Sequence, residues 1–600
     1  ALADAQWIVG HNPSAIETVD GTIIKLARGD AIYHRIADFM PSADQQVGAV
    51  NLVEFEAVDP EAVDKALDDL LTEVAARKST LGHHVAENAD QAAALWSLRK
   101  KGVGLLGALK GERKPVAFVE DTVVDPRRLP EYISAFRAIL DEEGLTYGMF
   151  GHIDVGCLHV RPALNLRDPE DEARVRRISD KVCALVQDFG GVIWGEHGKG
   201  FRSEYSPRFF GPLYPDLQRI KAAFDPHNQL NPGKLATPLG ADAELVSIDA
   251  PKRGQFDREI TEPALNLFRV AVDCNGNGAC FNYHPDHVMC PSSKVTRDRI
   301  HSPKGRAGLM REWLRQLSRS GYEPTHDPEP GWLGRPWLAM AKFFNGFRRK
   351  EDFSHQVFEA MDGCLSCKAC STQCPIEVDI PELKARFLSL YFSRYLRPLS
   401  DHLVRGLEAA AQWGSRAPRL ANALANFGPV KWALAKMTGI VDPPALSAPS
   451  LMNRPSIKDL PRFSEKTLAQ LTTEDRARSV ILIQDAFTSF FDAETVEATV
   501  SLLKILGYQP YLAPFFPNGK GLHVKGFMHA FRRRARQNTE RLRRLSALGI
   551  DLVAIEPAVG LTYREEYRQV LDMDRKEQGF EIKLLQEWLA ARLERLSHSS

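Results

Sequence analysis

The 600-residue chain has no surplus of charge of either sign: 77 Lys and Arg stand against 77 Asp and Glu. Counterion release from a polyanion cannot supply its main binding energy, so nucleic acid is excluded as a bulk electrostatic partner. Long apolar runs are absent too. No stretch reaches the ~18 uninterrupted apolar residues of a membrane-spanning helix, and the opening ALADAQWIVGHNPS has neither the basic nor the apolar region of a secretion signal. A cytoplasmic chain is expected. With 44% hydrophobic and 26% charged residues there is no bias toward disorder. The length asks for several domains of ~150 residues rather than one core. Cysteine is sparse, nine in all, and its distribution matters more than its number.

Cys364, Cys367, Cys370 and Cys374 fall in one run followed by Pro375, with the spacing C-x2-C-x2-C-x3-C-P. Three close thiolates of this kind take three irons of a [4Fe-4S] cubane, and the fourth reaches a second cluster. Disulfides do not suit a reducing compartment, and zinc prefers two separated pairs. The fourth ligand of the first cluster is then expected from Cys290-Pro291. That pair closes an incomplete second motif, DCNGNGACFNYHPDHVMCP, which holds Cys274 and Cys280 but has Asn277 in place of the middle cysteine. Either Cys274, Cys280 and Cys374 hold a second cluster with Asn277 or His284 as an unusual ligand, or only one cluster is intact. Downstream, Ser302-Pro303 reads as a helix start that would turn Lys304, Arg306 and free amides toward an anionic cluster. Cys183 reads as a small buried apolar residue.

Before residue 240, helical and strand-like patterns alternate: PEAVDKALDDLLTEVAARK, KPVAFVEDTVV, LPEYISAFRAILDEEG and LTYGMFGHIDVGCLHVRPAL. In GHIDVGCLHV, two short strands flanking a turn would bring His152 and His159 together. In GVIWGEHGKGFR, a strand ending at Gly195 would place Glu196 and His197 on a tight turn. Two histidines and a carboxylate suit a divalent metal such as zinc or manganese with an open position, and a further histidine suits a proton acceptor.

These stretches carry a resemblance. GHIDVGCLHVRP, GEHGKG and FDPHNQLNPGKL, in this order, resemble signatures of the FAD-linked D-2-hydroxyacid oxidoreductases, over residues 1–238. With the cysteine motifs and SPKGRA, nearly the whole chain resembles members in which a flavin domain is fused to a glycolate-oxidase-type iron–sulfur unit, the large bacterial D-2-hydroxyglutarate dehydrogenases among them. The resemblance implies FAD and one or two [4Fe-4S] clusters. It implies His152, His159 and Glu196 as metal ligands, His197 as proton acceptor, Arg99 on the substrate carboxylate, and Glu120, Asp121 and Asn231 beside the flavin. Asp154-Val155-Gly156-Cys157 departs from the family's Gly-Asp-Gly-Asn, and Val119 stands where mitochondrial relatives have lysine. The family's FAD-anchoring domain precedes this region, and no Gly-rich pyrophosphate loop occurs before His152. Half of a flavin site is therefore expected here.

The remainder reads as helix to about residue 470 and then as strand–helix alternation through ARSVILIQDAFTSFF, ETVEATVSLLKILGYQP, YLAPFF and GIDLVAIEP, a parallel α/β unit. It resembles half of a Cys-rich CCG domain without the cysteines. PNGKGLHVKG lacks the spacing of a phosphate loop, and FRRRARQNTERLRRL reads as a solvated helix face. The helix expected from EIKLLQEWLAARLERL closes the sequence. The expected fold is multidomain α+β and α/β: an FAD-linked-oxidase C-terminal cap domain over 1–238, a helical bis-cluster ferredoxin-like domain over 239–400, a helical linker over 401–470 and the α/β domain over 471–600. The expected activity is oxidation of a D-2-hydroxyacid, with D-2-hydroxyglutarate ahead of D-lactate and glycolate. Electrons would pass through [4Fe-4S] to a quinone, flavoprotein or cytochrome, in the cytoplasm or at the inner-membrane surface, as a monomer or homo-oligomer. The alternative is an electron-transfer module whose flavin is bound elsewhere.

Overall fold

The computed structural model describes residues 1–30, 32–40, 47–77, 79–107, 109, 111–322, 335–348 and 352–592. They form two compact units: Ala1–Pro291 with Leu314–Tyr322 and Ala369–Val378, and Ser292–Trp313 with Glu323–Lys368 and Asp379–Ser600.

In the first unit, strands β1 (Ala15–Asp20), β2 (Ala49–Glu54), β3 (Lys114–Pro115), β4 (Thr122–Val123), β5 (Tyr147–His152) and β6 (Cys157–Leu164) form one sheet. Its order is β2-β1-β5-β6-β3, with β4 also on β6; all pairings are antiparallel. Alternate residues serve opposite faces. Ile16, Leu158 and Val160 face a core with helices α3 (Leu129–Glu142) and α4 (Pro169–Asp188), while Val19 and Phe150 face α1 (Gly21–Ala27) and α2 (Ala89–Gly107). Helix α3 forms because Tyr132, Ile133, Phe136 and Leu140 recur at helical spacing and are all buried. Helix α4 starts where Asp168 caps the Glu170 N–H ahead of Pro169.

Two strand expectations are corrected. KPVAFVEDTVV is not one strand: only Lys114–Pro115 and Thr122–Val123 pair, and Asp121 between them is left-handed at φ 71°. The stretch before Gly195 is not a strand either; it makes a single bridge, Val123 to Val192. In both places polar side chains spend the backbone on the site described below.

The second unit contains a four-stranded parallel sheet, as expected. Strands β7 (Ser479–Ile483), β8 (Gln509–Leu512), β9 (Asp551–Ala554) and β10 (Ile582–Leu584) lie in the order β10-β9-β7-β8. Its helices include α5 (Ile380–Arg394), α6 (Leu399–Gly414), α7 (Pro418–Ala425), α8 (Gly428–Thr438), α9 (Ala493–Ile505) and α10 (Met528–Ser546). Ile481 and Ile483 pack with Phe531, Ala535 and Leu542 of α10, and Val480 and Leu482 with Val496, Val500 and Leu503 of α9. The basic run is the outer face of α10, as read. Ile582–Leu584 form a strand rather than the start of the last helix, because they pair with β9; residues 593–600 lie outside the described residues. Gly519-Lys520-Gly521 holds no phosphate geometry: the Gly519 N–H donates to Glu408 and Lys520 is paired with Glu566.

Candidate active site

The hairpin β5–β6 pairs Phe150 with His159 and His152 with Cys157, and β1 pairs Glu17 with His152. This register puts Glu17, Phe150, His152 and His159 on one face. Gly156 makes the turn possible: its φ is +72°, and a Cβ there would lie 2.0 Å from the Val124 carbonyl oxygen. The GEHG turn then brings one carboxylate oxygen, Glu196 Oε1, to 3.3 Å from His152 Nε2, 2.8 Å from His159 Nε2 and 3.4 Å from His197 Nε2. The rings of His159 and His197 stack at 4.9 Å, and those of His152 and His159 meet edge-on at 5.7 Å. The site residues expected from GHIDVGCLH and GEHG thus converge.

Asp121 holds the turn. Its carboxylate oxygens accept the Glu196 N–H at 2.8 Å and the His197 N–H at 3.1 Å, and Arg202 lies 3.6 Å away. It is fully buried, so the expected flavin-facing role does not fit it; it is a brace. Glu120 lies between Arg161 Nε at 2.6 Å and His197 Nδ1 at 3.6 Å. Asn231 sits on an exposed turn with a left-handed backbone. Arg99 reaches the site, but its Nε is bound to Glu17 at 2.7 Å while Glu17 also takes His152 Nδ1 at 2.6 Å. Arg99 and Arg161 both lie over the Phe150 ring, at 4.8 and 5.5 Å. Glu17 sits in no motif; Arg161 lies within GHIDVGCLHVRP, but nothing in that stretch assigned it a role.

The donor chemistry fits a divalent ion. His159 is buried, its Nδ1 has no hydrogen-bond partner among the described residues, and burial holds its pKa down to about 4, so it presents the neutral imidazole that metals require. On His152, the Glu17 hydrogen bond raises the pKa; a carboxylate on Nδ1 fixes which nitrogen faces the site. Asp121 and Cys157 also lie within 4.8 Å of His159 and Glu196 donor atoms. They are poorer donors: Asp121 is committed to the turn, and burial pushes the Cys157 thiol up to about 12. His152, His159 and Glu196 remain the better set.

The cysteines divide between the units. Cys274, Cys280, Cys290, Cys370 and Cys374 belong to the first, Cys364 and Cys367 to the second. No disulfide joins any of the nine. In the first unit the Cys374 loop is packed beside the Cys274 loop: a Cβ on Gly104 would lie 2.3 Å from Pro375, and one on Gly107 would lie 2.8 Å from Asn275 and 2.9 Å from Ile376. A cavity of about 400 Å³ is lined by Asp273 and by Pro375, Ile376 and Glu377. Asn277 and His284 are exposed; the Asn277 side-chain Oδ1 accepts the Ala279 N–H at 2.9 Å. In the second unit the Ser366 N–H approaches Cys364 Sγ at 3.5 Å, and Lys384 Nζ donates to the Cys364 carbonyl at 2.7 Å. Ser302 accepts the Gly305 N–H, starting the helix at Pro303 as expected. Arg306 is buried, with Nε on the Ala360 carbonyl at 2.7 Å and a terminal nitrogen on Ser292 at 2.9 Å. A buried cation, Lys384, beside the half-buried Cys364 fits an anionic cluster. Lys368, between Cys367 and Cys370, reaches Asp379, Glu565 and Glu566 at 3.3, 3.3 and 3.5 Å.

Residues 1–235 match the C-terminal domain of FAD linked oxidases, and residues 271–378 match a 4Fe-4S dicluster domain. The two matched segments are similar to an FAD-linked oxidase domain and an iron–sulfur dicluster domain, which point to FAD and [4Fe-4S] as cofactors. The chain resembles the D-2-hydroxyglutarate dehydrogenases. It is 46% identical to that of Escherichia coli K12, covering 99% of this chain and 59% of that protein. It is 41% identical to that of Haemophilus influenzae over the same shares. A D-lactate dehydrogenase of Anaerostipes hadrus is more distant, 28% identical over 32% of this chain and 40% of that protein. The chain spans about three fifths of the length of the curated D-2-hydroxyglutarate dehydrogenases it matches.

Proposed function

We propose that the protein oxidises the C2 hydroxyl of a D-2-hydroxyacid, with D-2-hydroxyglutarate as substrate, and delivers electrons to an external carrier. The reading rests on one observation above the rest: three imidazoles converge on Glu196 Oε1, and two guanidinium groups, Arg99 and Arg161, lie over the neighbouring Phe150 ring. FAD, when bound, supplies a two-electron acceptor, and [4Fe-4S] centres supply a one-electron outlet through Cys364, Cys367, Cys370 and Cys290 and through Cys274, Cys280 and Cys374. A divalent ion on His152, His159 and Glu196 supplies polarisation of the substrate hydroxyl.

The chain's own residues do the rest. His197 is half exposed and stacked on His159, placed to take the hydroxyl proton, while Glu120 at Nδ1 stabilises the imidazolium that results. Glu196 and His197 leave the cluster open on one side, as a site that shares its substrate with a flavin requires. A dicarboxylate asks for two cations and a monocarboxylate for one. Arg99 and Arg161 therefore favour D-2-hydroxyglutarate over D-lactate or glycolate, which form the second reading.

The test compares D-2-hydroxyglutarate, its L enantiomer, D-lactate and glycolate with an artificial electron acceptor. D-2-hydroxyglutarate should give the highest kcat/KM, and Arg161→Met should lower it at least ~10-fold while changing D-lactate turnover little. Equal losses on both substrates would remove the second-carboxylate role of Arg161. A preference for D-lactate or glycolate in the wild type would replace the substrate.

A further inference from the structure

Helices α6, α7 and α8 leave an apolar face in water. Between residues 396 and 442 only Asp401 and Ala411 are buried, and α7 and α8 bury no residue at all. Trp413, Leu420, Leu424, Phe427, Trp432 and Met437 are each more than half exposed. Leu420 and Leu424 recur at helical spacing on α7 and make one stripe, and Phe427 follows in the link to α8. Short helices draw their stability from packing such a stripe, and a contiguous exposed patch marks a surface that meets something else.

The charge of this segment is one-sided although the whole chain is neutral. From His402 to Val441 the cations are Arg405, Arg416, Arg419, Lys431 and Lys436, and the one acid is Glu408. Its carboxylate is turned inward, accepting the Asn518 and Gly519 N–H groups at 2.7 and 2.9 Å. Lys431 is paired with Asp442 at 2.6 Å, and the Arg416 guanidinium lies 4.0 Å over the Trp413 ring. Exposed Trp and Phe among Lys and Arg, with Asp442 beside Lys431 as the one outward acid, are the composition of helices that lie in the lipid headgroup boundary.

We propose that α6–α8 form a docking surface for an anionic phospholipid bilayer, the apolar stripe entering the headgroup region and the basic side chains meeting lipid phosphates. A second copy of the chain fits less well, because a two-fold contact would set these cations against their own copies. The inference stands on residues 396–442 alone and is independent of the reaction proposed above.

The purified protein is sedimented with sucrose-loaded vesicles of phosphatidylglycerol and phosphatidylethanolamine, and with vesicles of phosphatidylcholine. It should partition at least ~10-fold more strongly onto the anionic vesicles and be released by 0.5 M salt. Each of Arg416→Gln, Arg419→Gln and Lys436→Gln should lower the partition coefficient about fivefold. The double variant Trp413→Glu/Trp432→Glu should abolish binding with unchanged thermal unfolding, since both rings are exposed. No binding to anionic vesicles at low salt, or equal binding of the double variant, overturns the proposal. So does a wild-type dimer in light scattering that the double variant dissociates in the absence of lipid.

Discussion

At the scale of single residues, Glu17 shows how a site depends on a side chain outside any motif. It is buried, and burial alone would raise its pKa; the hydrogen bonds from His152 and Arg99 more than offset this and hold it ionised. An ionised Glu17 orients His152 through Nδ1 and keeps its Nε2 toward Glu196. Glu17→Gln keeps the volume but removes the charge. We expect a loss of ~10–100-fold in metal affinity, with a similar loss in kcat/KM that added divalent ion partly restores. Metal content after dialysis and turnover against metal concentration check this. A purely structural role for Glu17 would instead lower the melting temperature and leave metal affinity unchanged.

At the scale of elements, close packing holds the Cys374 loop in the first unit, and buried charge pins α5 in the second. Gly104 lies within α2, where alanine is the better helix former by ~1 kcal/mol. A Cβ there would meet Pro375 at 2.3 Å, so the loop carrying Cys374 has to move. Gly104→Ala is expected to leave helix content intact while lowering bound iron or making it oxygen-labile, read by iron analysis before and after exposure to air. In the second unit, Glu382 of α5 is bonded to His523 Nε2 at 2.8 Å. Burial opposes its charge, but His523 and Arg386 prevail and set its pKa at about 2. A depressed carboxylate stabilises the fold above its unfolded pKa, and that stability is lost as pH falls toward 2. The difference from an ordinary glutamate corresponds to about 3 kcal/mol. Denaturant melts between pH 6 and 3 should show a falling midpoint that Glu382→Gln flattens.

Much of this scale was legible in the sequence. Tyr132, Ile133, Phe136 and Leu140 announce α3, and the alternation around GHIDVGCLH announces β5 and β6 with both histidines on one face. The parallel order of β7–β9 follows from apolar runs between helices. What was not legible depends on partners far along the chain. The break at Glu120–Asp121 exists because Asp121 binds the Glu196 and His197 amides, 75 and 76 residues away. Arg99 turns to Glu17, 82 residues away. Residues 582–584 read as helix until β9 offers them an edge to pair with. Propensity carries no record of such pairings.

At the scale of the whole molecule, the cysteine count limits what two clusters can have. Residues 271–378 match a dicluster domain, and within them lie Cys274, Cys280, Cys290, Cys364, Cys367, Cys370 and Cys374. Two cubanes hold about eight irons and ordinarily take about eight thiolates, so one iron has no cysteine. Of the residues proposed from the sequence to replace it, the His284 side chain is 68% exposed and the Asn277 side-chain Oδ1 accepts the Ala279 N–H. The cluster of Cys274, Cys280 and Cys374 is therefore expected to hold one iron without a protein side chain. Anaerobic protein should contain about eight irons and lose about one on mild oxidation, giving a [3Fe-4S] signal in EPR. His284→Ala and Asn277→Ala should leave both the count and the signal unchanged. If either substitution removes about four irons, that residue is a ligand and the open-iron account fails. If anaerobic protein holds about four irons from the start, the Cys274 half carries no cluster and Cys374 serves only to close its own loop.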